Sequence, residues 1–336
     1  SYQSQQFSSS PSYQGSTAPM TQSNTITDLS SAHRDFRDRL VRHGMLIPTG
    51  IDGLYGRGAD YEAVFDAVDR AVWRTGIETH RDFPVQKLRF PPIFPREAYE
   101  KTDYIASFPH LTGAISTFTG TDADHRALLA DRDAGVPWDG HLEPAGTMLV
   151  SAACHPLYAT LAQQLPQGGS RFNVHGYCFR HEPAIDPARM QAFRMQEFVY
   201  VGEPASAVTH RAKWIASGLA LFERLELDAQ PVAANDPFFG RAGRMLSVNQ
   251  IEENLKTELV VRLYGDLDEG TALLSCNNHK DHFGTSFDLT TSDGGVAHSA
   301  CVGIGMDRIT LALLANHGLE LAQWPSTVLS ELGLTP

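Results

Sequence analysis

Basic residues are scarce in this chain relative to acidic ones: 27 Lys and Arg stand against 39 Asp and Glu, a formal net charge of −12 over 336 residues. A broad nucleic-acid surface needs clustered cations to displace counterions, so the balance argues against one while leaving room for a local basic patch. No apolar run approaches the roughly 20 residues of a membrane span. No charged segment followed by an apolar one marks a secretory leader, so a cytoplasmic protein without a membrane partner is expected. Cysteine is also rare. Cys154, Cys178, Cys276 and Cys301 are well separated and form no C-x-x-C pair, which excludes a disulfide framework and leaves each, by default, a buried small hydrophobe. The glycine-rich residues 48–58 lack the terminal Gly-Lys-Ser/Thr of a phosphate loop and follow no clear strand, so they read as a tight turn.

With 42% hydrophobic residues the chain can bury a large core. Residues 1–25, rich in Ser, Gln, Thr and Tyr, read as a disordered tail with Met20 a candidate start, and residues 26–336 as one folded domain. Helices are expected over 28–46, from Asp60 to Thr75 with Gly76 closing it, and near 97–104, 121–132, 155–164, 205–226 and 251–264. A last helix should begin near Gly305. Strands are expected over 85–90 and near 147–152, 173–182, 193–202, 245–249, 271–276, 284–290 and 297–302. Many strands joined by hairpin-length loops indicate an α+β fold, an antiparallel sheet flanked by helices.

Two segments carry chemistry. The first is Phe179-Arg180-His181-Glu182, followed after a loop by Phe193-Arg194-Met195-Gln196-Glu197-Phe198. On an extended strand Arg180 and Glu182 share a face, where a fork-shaped anion binder and an acceptor for amines suit a ligand with both a phosphate and an amino group. A cross-strand salt bridge on a solvated sheet would use the same residues. The second is Gly303-Ile304-Gly305-Met306-Asp307-Arg308, a strand whose glycines admit a close approach, running into a helix. Asp307 suits the positive helix N-terminus, whereas Arg308 does not and calls for an anionic or aromatic partner.

Together the two segments resemble motifs 2 and 3 of class II aminoacyl-tRNA synthetases, with a weaker motif 1 in the helix from Asp60 and the strand before Pro91-Pro92. In motif 3, Cys301 and Asp307 stand where that family has glycine and glutamate. Cys301, Cys154 in Ala152-Ala153-Cys154-His155-Pro156, and Glu197 could supply three ligands to a tetrahedral zinc with one open position. Two buried cysteines and a salt-bridged glutamate would account for each residue taken alone. Simple alternation sets Glu197 opposite Arg194 and Phe198, so a bulge or a twisted hairpin is expected to bring it to the metal. His175, His279, His282 and His298 are other conceivable ligands, and hydrogen-bonding roles suit them better.

The combination resembles the zinc-dependent serine–tRNA ligases of methanogens and, more closely, the amino acid:[carrier protein] ligases. The resemblance implies a class II synthetase-like fold and ATP-dependent formation of an aminoacyl-adenylate from a small amino acid. Glycine and alanine lead, with serine third. Transfer to the phosphopantetheine thiol of a carrier protein would follow, with Zn2+ and ATP·Mg2+ as cofactors and a homodimer built on motif 1. It implies that Arg180 holds the α-phosphate and Glu182 contacts the nucleotide. Arg189, Met190, Ala272 and Leu273 would line the ATP site, and Phe193 and Arg308 would sandwich adenine. Zinc on Cys154, Glu197 and Cys301 would hold the α-amine, with Ser275 and Asn277 nearby. Ala272 replaces an acid that helps hold magnesium in the serine ligases. Lys256, expected on a helix, is either a contact to the acceptor arm or a solvated charge. A chain that ends soon after motif 3 leaves no expected tRNA module. A serine–tRNA ligase and a non-catalytic paralogue that binds amino acid or nucleotide are the alternatives.

Overall fold

A computed structural model describes residues 26–236, 244 and 253–334. In chain order the helices are α1 (Leu29–Arg42), α2 (Ala59–Thr79), α3 (Arg96–Lys101), α4 (Tyr104–Ser107), α5 (Asp122–Asp133), α6 (His155–Tyr158), α7 (Pro204–Arg224), α8 (His282–Ser286), α9 (Met306–His317) and α10 (Ser326–Leu332). The strands are β1 (Leu46–Pro48), β2 (Tyr55–Arg57), β3 (Gln86–Leu88), β4 (Ile93–Pro95), β5 (Ala114–Thr117), β6 (Glu143–Leu149), β7 (Ser170–Phe179), β8 (Ala192–Gly202), β9 (Gln230–Ala233), β10 (Lys256–Val261), β11 (Thr271–Lys280) and β12 (His298–Gly305).

Seven strands form one sheet in the order β3-β7-β8-β12-β11-β10-β9. Its neighbours are antiparallel except β3 and β7, which run parallel. Period-2 alternation divides this sheet into two working faces. Phe198, Leu274, Val302 and Ile304 turn to one face, where they share a core with Val68 and Val72 of α2, Trp214 of α7 and Ile309 of α9. Val199, Val201 and Cys301 turn to the other, against Cys154, Leu157 and Phe283. The long helices α2, α7 and α9 thus close one side, and the site lies on the other, beside the short α6 and α8.

Several boundaries differ from the sequence expectation. α2 starts after Gly58, with Asp60 in its first turn, and it runs through Gly76 to Thr79. Gly76 is internal because a Cβ there would lie 2.0 Å from Phe198 Cζ, so the glycine lets the helix settle on the sheet. The helix expected over 251–264 is corrected within the described residues: 256–261 are strand β10, paired on both sides, and the β-branched Thr257, Val260 and Val261 suit that setting. The strand expected at 284–290 is instead helix α8 over 282–286, since a short apolar run does not separate the two. Residues 155–164 hold a single turn, α6, and the glycine-rich turn at 48–58 is built into the β1–β2 hairpin. The expected tail at 1–25 and strand at 245–249 lie outside the described residues. Among those described, no helix is long and apolar enough to cross a membrane.

Candidate active site

The turn after β7 opens the site. Arg180 and Glu182 lie just beyond Phe179, the last residue of the strand, and both reach a cavity of about 600 Å³. They do not pair with each other: Glu182 meets Arg189 of the returning loop. Arg180 donates from its backbone to Gln191 O (2.9 Å) and from Nε to Ser151 O (3.1 Å). Its guanidinium stands 5.4 Å from the centre of the Phe193 ring. Met190 and Phe193 line the same cavity, as do Ala272, Leu273, Ser275 and Asn277 of β11.

Arg308 enters from the first turn of α9. Its partners are backbone carbonyls, Ala188 O at 2.9 Å from Nε and Ala272 O at 3.0 Å from Nη1. Burial, followed by the charges of Arg189 and Arg180, lowers its pKa. Cations gathered in an enclosed space repel one another, and a polyanion placed among them relieves that repulsion. Such a grouping suits an anionic ligand.

The same cavity holds three acid-forming groups. Ligand atoms of Cys154, Glu197 and Cys301 all lie within 4.8 Å of one another, and all three residues are buried. Among the described residues no other trio of His, Cys, Asp or Glu is so gathered; His175 pairs with Asp69 at 3.3 Å instead. Glu197 Oε2 accepts from Cys154 N at 2.8 Å and lies 3.9 Å from Cys301 Sγ. Without a cation such a set resists ionising. Contact with the Cys301 thiol, then burial, pushes the Cys154 thiol well up, and burial raises Glu197 despite the Cys154 N–H. For Cys301 the Cys154 contact acts downward, but burial and Glu197 outweigh it. The donor set therefore fits a divalent metal that takes two thiolates and a carboxylate and keeps an open position.

No bulge is needed to bring Glu197 there. The β7–β8 ladder runs unbroken from Ser170↔Val201 to Phe179↔Ala192, and β8–β12 from His298↔Gly202 to Gly305↔Met195. Alternation itself puts Phe193, Met195 and Glu197 on the cavity face and Phe198 on the helix face. The expected irregularity is corrected: Arg194 and Phe198, not Glu197, point away from the site.

Sequence reasoning missed what lies under the arginines. Asp307 is not chiefly a helix-terminus acid. Its buried carboxylate accepts from Arg57 Nε (3.0 Å), Arg194 Nη2 (2.9 Å) and N (2.7 Å), and Tyr61 OH (2.9 Å). Arg194 also grips Glu62 with two contacts of 2.7 Å. Arg57 comes from the hairpin read as a mere turn, and the only local signal was an arginine set between the last two glycines of the run. Lys256 needs a second correction. It sits on strand β10, only 8% exposed, and meets Asp236 and, at 3.2 Å, Glu258 at the cavity wall. It is therefore neither a helix residue nor a solvated charge.

No family model matches the chain. It is 39% identical over 289 residues to amino acid–[acyl-carrier-protein] ligase 1 of Bradyrhizobium diazoefficiens, covering 85% of this chain and 87% of that protein. A type-2 serine–tRNA ligase of Methanopyrus kandleri is 28% identical over 204 residues, 57% of this chain and 38% of its own length. Among solved structures, M. kandleri SerRS in complex with A. aeolicus tRNASec superposes with a TM-score of 0.75 at 21% identity. That match covers 89% of this chain, which spans 60% of the length of the SerRS chain. The α+β fold is that of the class II aminoacyl-tRNA synthetases.

Proposed function

This chain belongs to the amino acid–[acyl-carrier-protein] ligases, and from that membership we propose how its cavity divides the work. The enzyme activates an amino acid with ATP and passes it to a carrier protein. The observation that carries the residue assignment is one cavity lined both by the cations Arg180, Arg189 and Arg308 and by a buried Cys154/Glu197/Cys301 trio.

In the first half-reaction the substrate carboxylate attacks the α-phosphorus of ATP and pyrophosphate leaves. The task is positioning and charge stabilisation. Arg180 holds the α-phosphate, with Glu182 and Arg189 contacting the nucleotide. Met190, Phe193, Ala272, Leu273 and Arg308 frame its base and ribose. Ala272 offers no carboxylate to a magnesium ion, and ATP would bring one with it. Cys154, Glu197 and Cys301 would hold zinc, which when bound would supply a Lewis-acid site for the substrate α-amine. Ser275 and Asn277 line the same cavity, and Asn277 donates to Ser275 Oγ at 3.2 Å. Met195 fills space on the same strand face as Glu197, where a Cβ at Gly303 would come within 2.8 Å of its methyl group. That crowding favours a small amino acid, glycine or alanine. In the second half-reaction the thiol of a phosphopantetheine arm attacks the adenylate carbonyl and AMP leaves. Lys256, set in the wall beside Asp236 and Glu258, holds position near substrate. The acting unit is a homodimer, and tRNA is not the acceptor.

Amino-acid-dependent ATP–pyrophosphate exchange tests the first step. Exchange with glycine or alanine is expected, and its absence with glycine, alanine and serine in the presence of zinc refutes the reading. Incubation with carrier protein or tRNA, scored by mass shift, identifies the acceptor.

A further inference from the structure

Arg308 is held through a line of contacts that starts outside the cavity. Tyr264 follows β10, and its ring lies edge-on to His33 of α1, with centroids 4.6 Å apart, and 6.1 Å from Phe36 one helical turn later. Its hydroxyl donates to Asp186 Oδ1 at 2.6 Å, and burial, with the Asp186 charge next, keeps the phenol protonated. The same carboxylate oxygen accepts from Ala188 N at 3.0 Å, and His33 Nε2 lies 3.6 Å from the other. Ala188 in turn offers its carbonyl to Arg308 Nε at 2.9 Å. Ala188 and Arg308 line the cavity, whereas Asp186, Tyr264 and His33 stand behind it.

Loops are ordinarily the variable part of a site. Here the Ala188 residue is gripped at both its backbone groups, by a carboxylate on its N–H and a guanidinium on its C=O, and contacts to charged groups are the strong ones. We infer that Asp186 and Tyr264 are positioning residues that set the Arg189–Met190 loop and the Arg308 guanidinium for the nucleotide. The inference rests on the ATP-site assignment above. It extends that assignment to residues that never touch ATP, and it gives α1 a role in nucleotide affinity.

Tyr264→Phe deletes one hydroxyl and keeps the ring packing, so it isolates the contact. Losing a hydrogen bond to a charged group here should weaken ATP binding about three- to tenfold, read by calorimetry. Asp186→Ala should do so by about tenfold or more, and Asp186→Asn, whose amide oxygen still accepts, should recover part of the loss. In exchange kinetics KM for ATP should rise while KM for the amino acid and the zinc content stay as in the wild type. A purely structural role would instead lower the melting temperature and move both KM values together. ATP affinities of Tyr264→Phe and Asp186→Ala within twofold of wild type overturn the inference. A wild-type chain that binds no ATP overturns the site and the inference together. One that binds ATP but exchanges with no amino acid sinks the ligase mechanism, and the positioning role is then judged on ATP affinity alone.

Discussion

Asp307→Asn removes one charge from a buried cluster, and the structure indicates what is left behind. The side chain is 3% exposed, and its two oxygens serve Arg57, Arg194 and Tyr61. Arg194 keeps a carboxylate after the change, because Glu62 holds it through both terminal nitrogens. Arg57 does not. Its other partners, Tyr55 O, Ala192 O and Met190 Sδ, are all neutral. The asparagine amide also turns a donor toward either Arg194 N or a guanidinium. Breaking a buried pair from one side costs about 3–5 kcal/mol; with Glu62 still compensating one arginine, about 3 kcal/mol is expected. At about 2 °C per kcal/mol for a large domain, the melting temperature should fall by roughly 6 °C at pH 7. Adding Arg57→Met should return more than about 1 kcal/mol, because the uncompensated charge goes with it. The pH dependence follows from the direction of the shift. Burial alone would raise the Asp307 carboxyl, but Arg57 and then Arg194 bring it below its ordinary 3.8. A depressed carboxylate contributes fully above its unfolded value and loses that contribution as pH falls through the folded one. The gap between wild type and variant should therefore hold from pH 7 down to about 4 and close below it. Scanning calorimetry across that range measures both effects. A variant melting within 1 °C of wild type at pH 7, a loss that merely adds in the double variant, or a gap that widens in acid would refute the reasoning.

Two other substitutions probe the opposite ends of the structure. Cys301→Ser should lower bound zinc, measured by metal analysis of purified protein, and abolish amino-acid-dependent exchange while ATP still binds; normal exchange in zinc-free protein would remove the metal role. Gly76→Ala should gain about 1 kcal/mol of helix propensity yet lose more, because the added carbon meets the buried Phe198 ring at 2.0 Å. A net destabilisation of about 1–3 kcal/mol is expected from such overpacking, and a rise in melting temperature would show that the ring yields freely.

Much of the sheet was legible from period alone. The expected strands near 173–182, 193–202, 271–276 and 297–302 are β7, β8, β11 and β12, and the helices near 28–46, 121–132 and 205–226 are α1, α5 and α7. The structure adds caps that period alone does not show: Asp28 accepts from Ser31 N, and Thr121 with Asp124 forms a capping box. Residues 256–261 were misread because their strand character depends on neighbours at β9 and β11, which lie outside the segment itself. Gly76 was misread because a glycine late in a helix signals a stop locally, and only Phe198, far along the chain, gives it another purpose. In the cavity, Arg180, Cys154, Glu197, Cys301 and Arg308 stood out by type and motif. Arg57, Asp186 and Tyr264 carried no motif, since a residue that acts on another residue has no chemistry of its own to announce.

What the sequence by itself determined is the inventory: a class II core, an arginine-bearing hairpin, and two thiols and a carboxylate of the types a metal site uses. Residue type and short-range spacing are properties of the chain, readable before it folds. What only the tertiary structure decided is facing and company. An unbroken ladder turned Glu197 toward the cavity by simple alternation, where local reasoning had asked for a bulge. Asp307 became the counter-ion of Arg57, 250 residues away in sequence. Such pairings depend on which strands and helices meet. Short-range spacing is silent about that, because burial, and with it the strength of every charge contact, is set by the whole packed core.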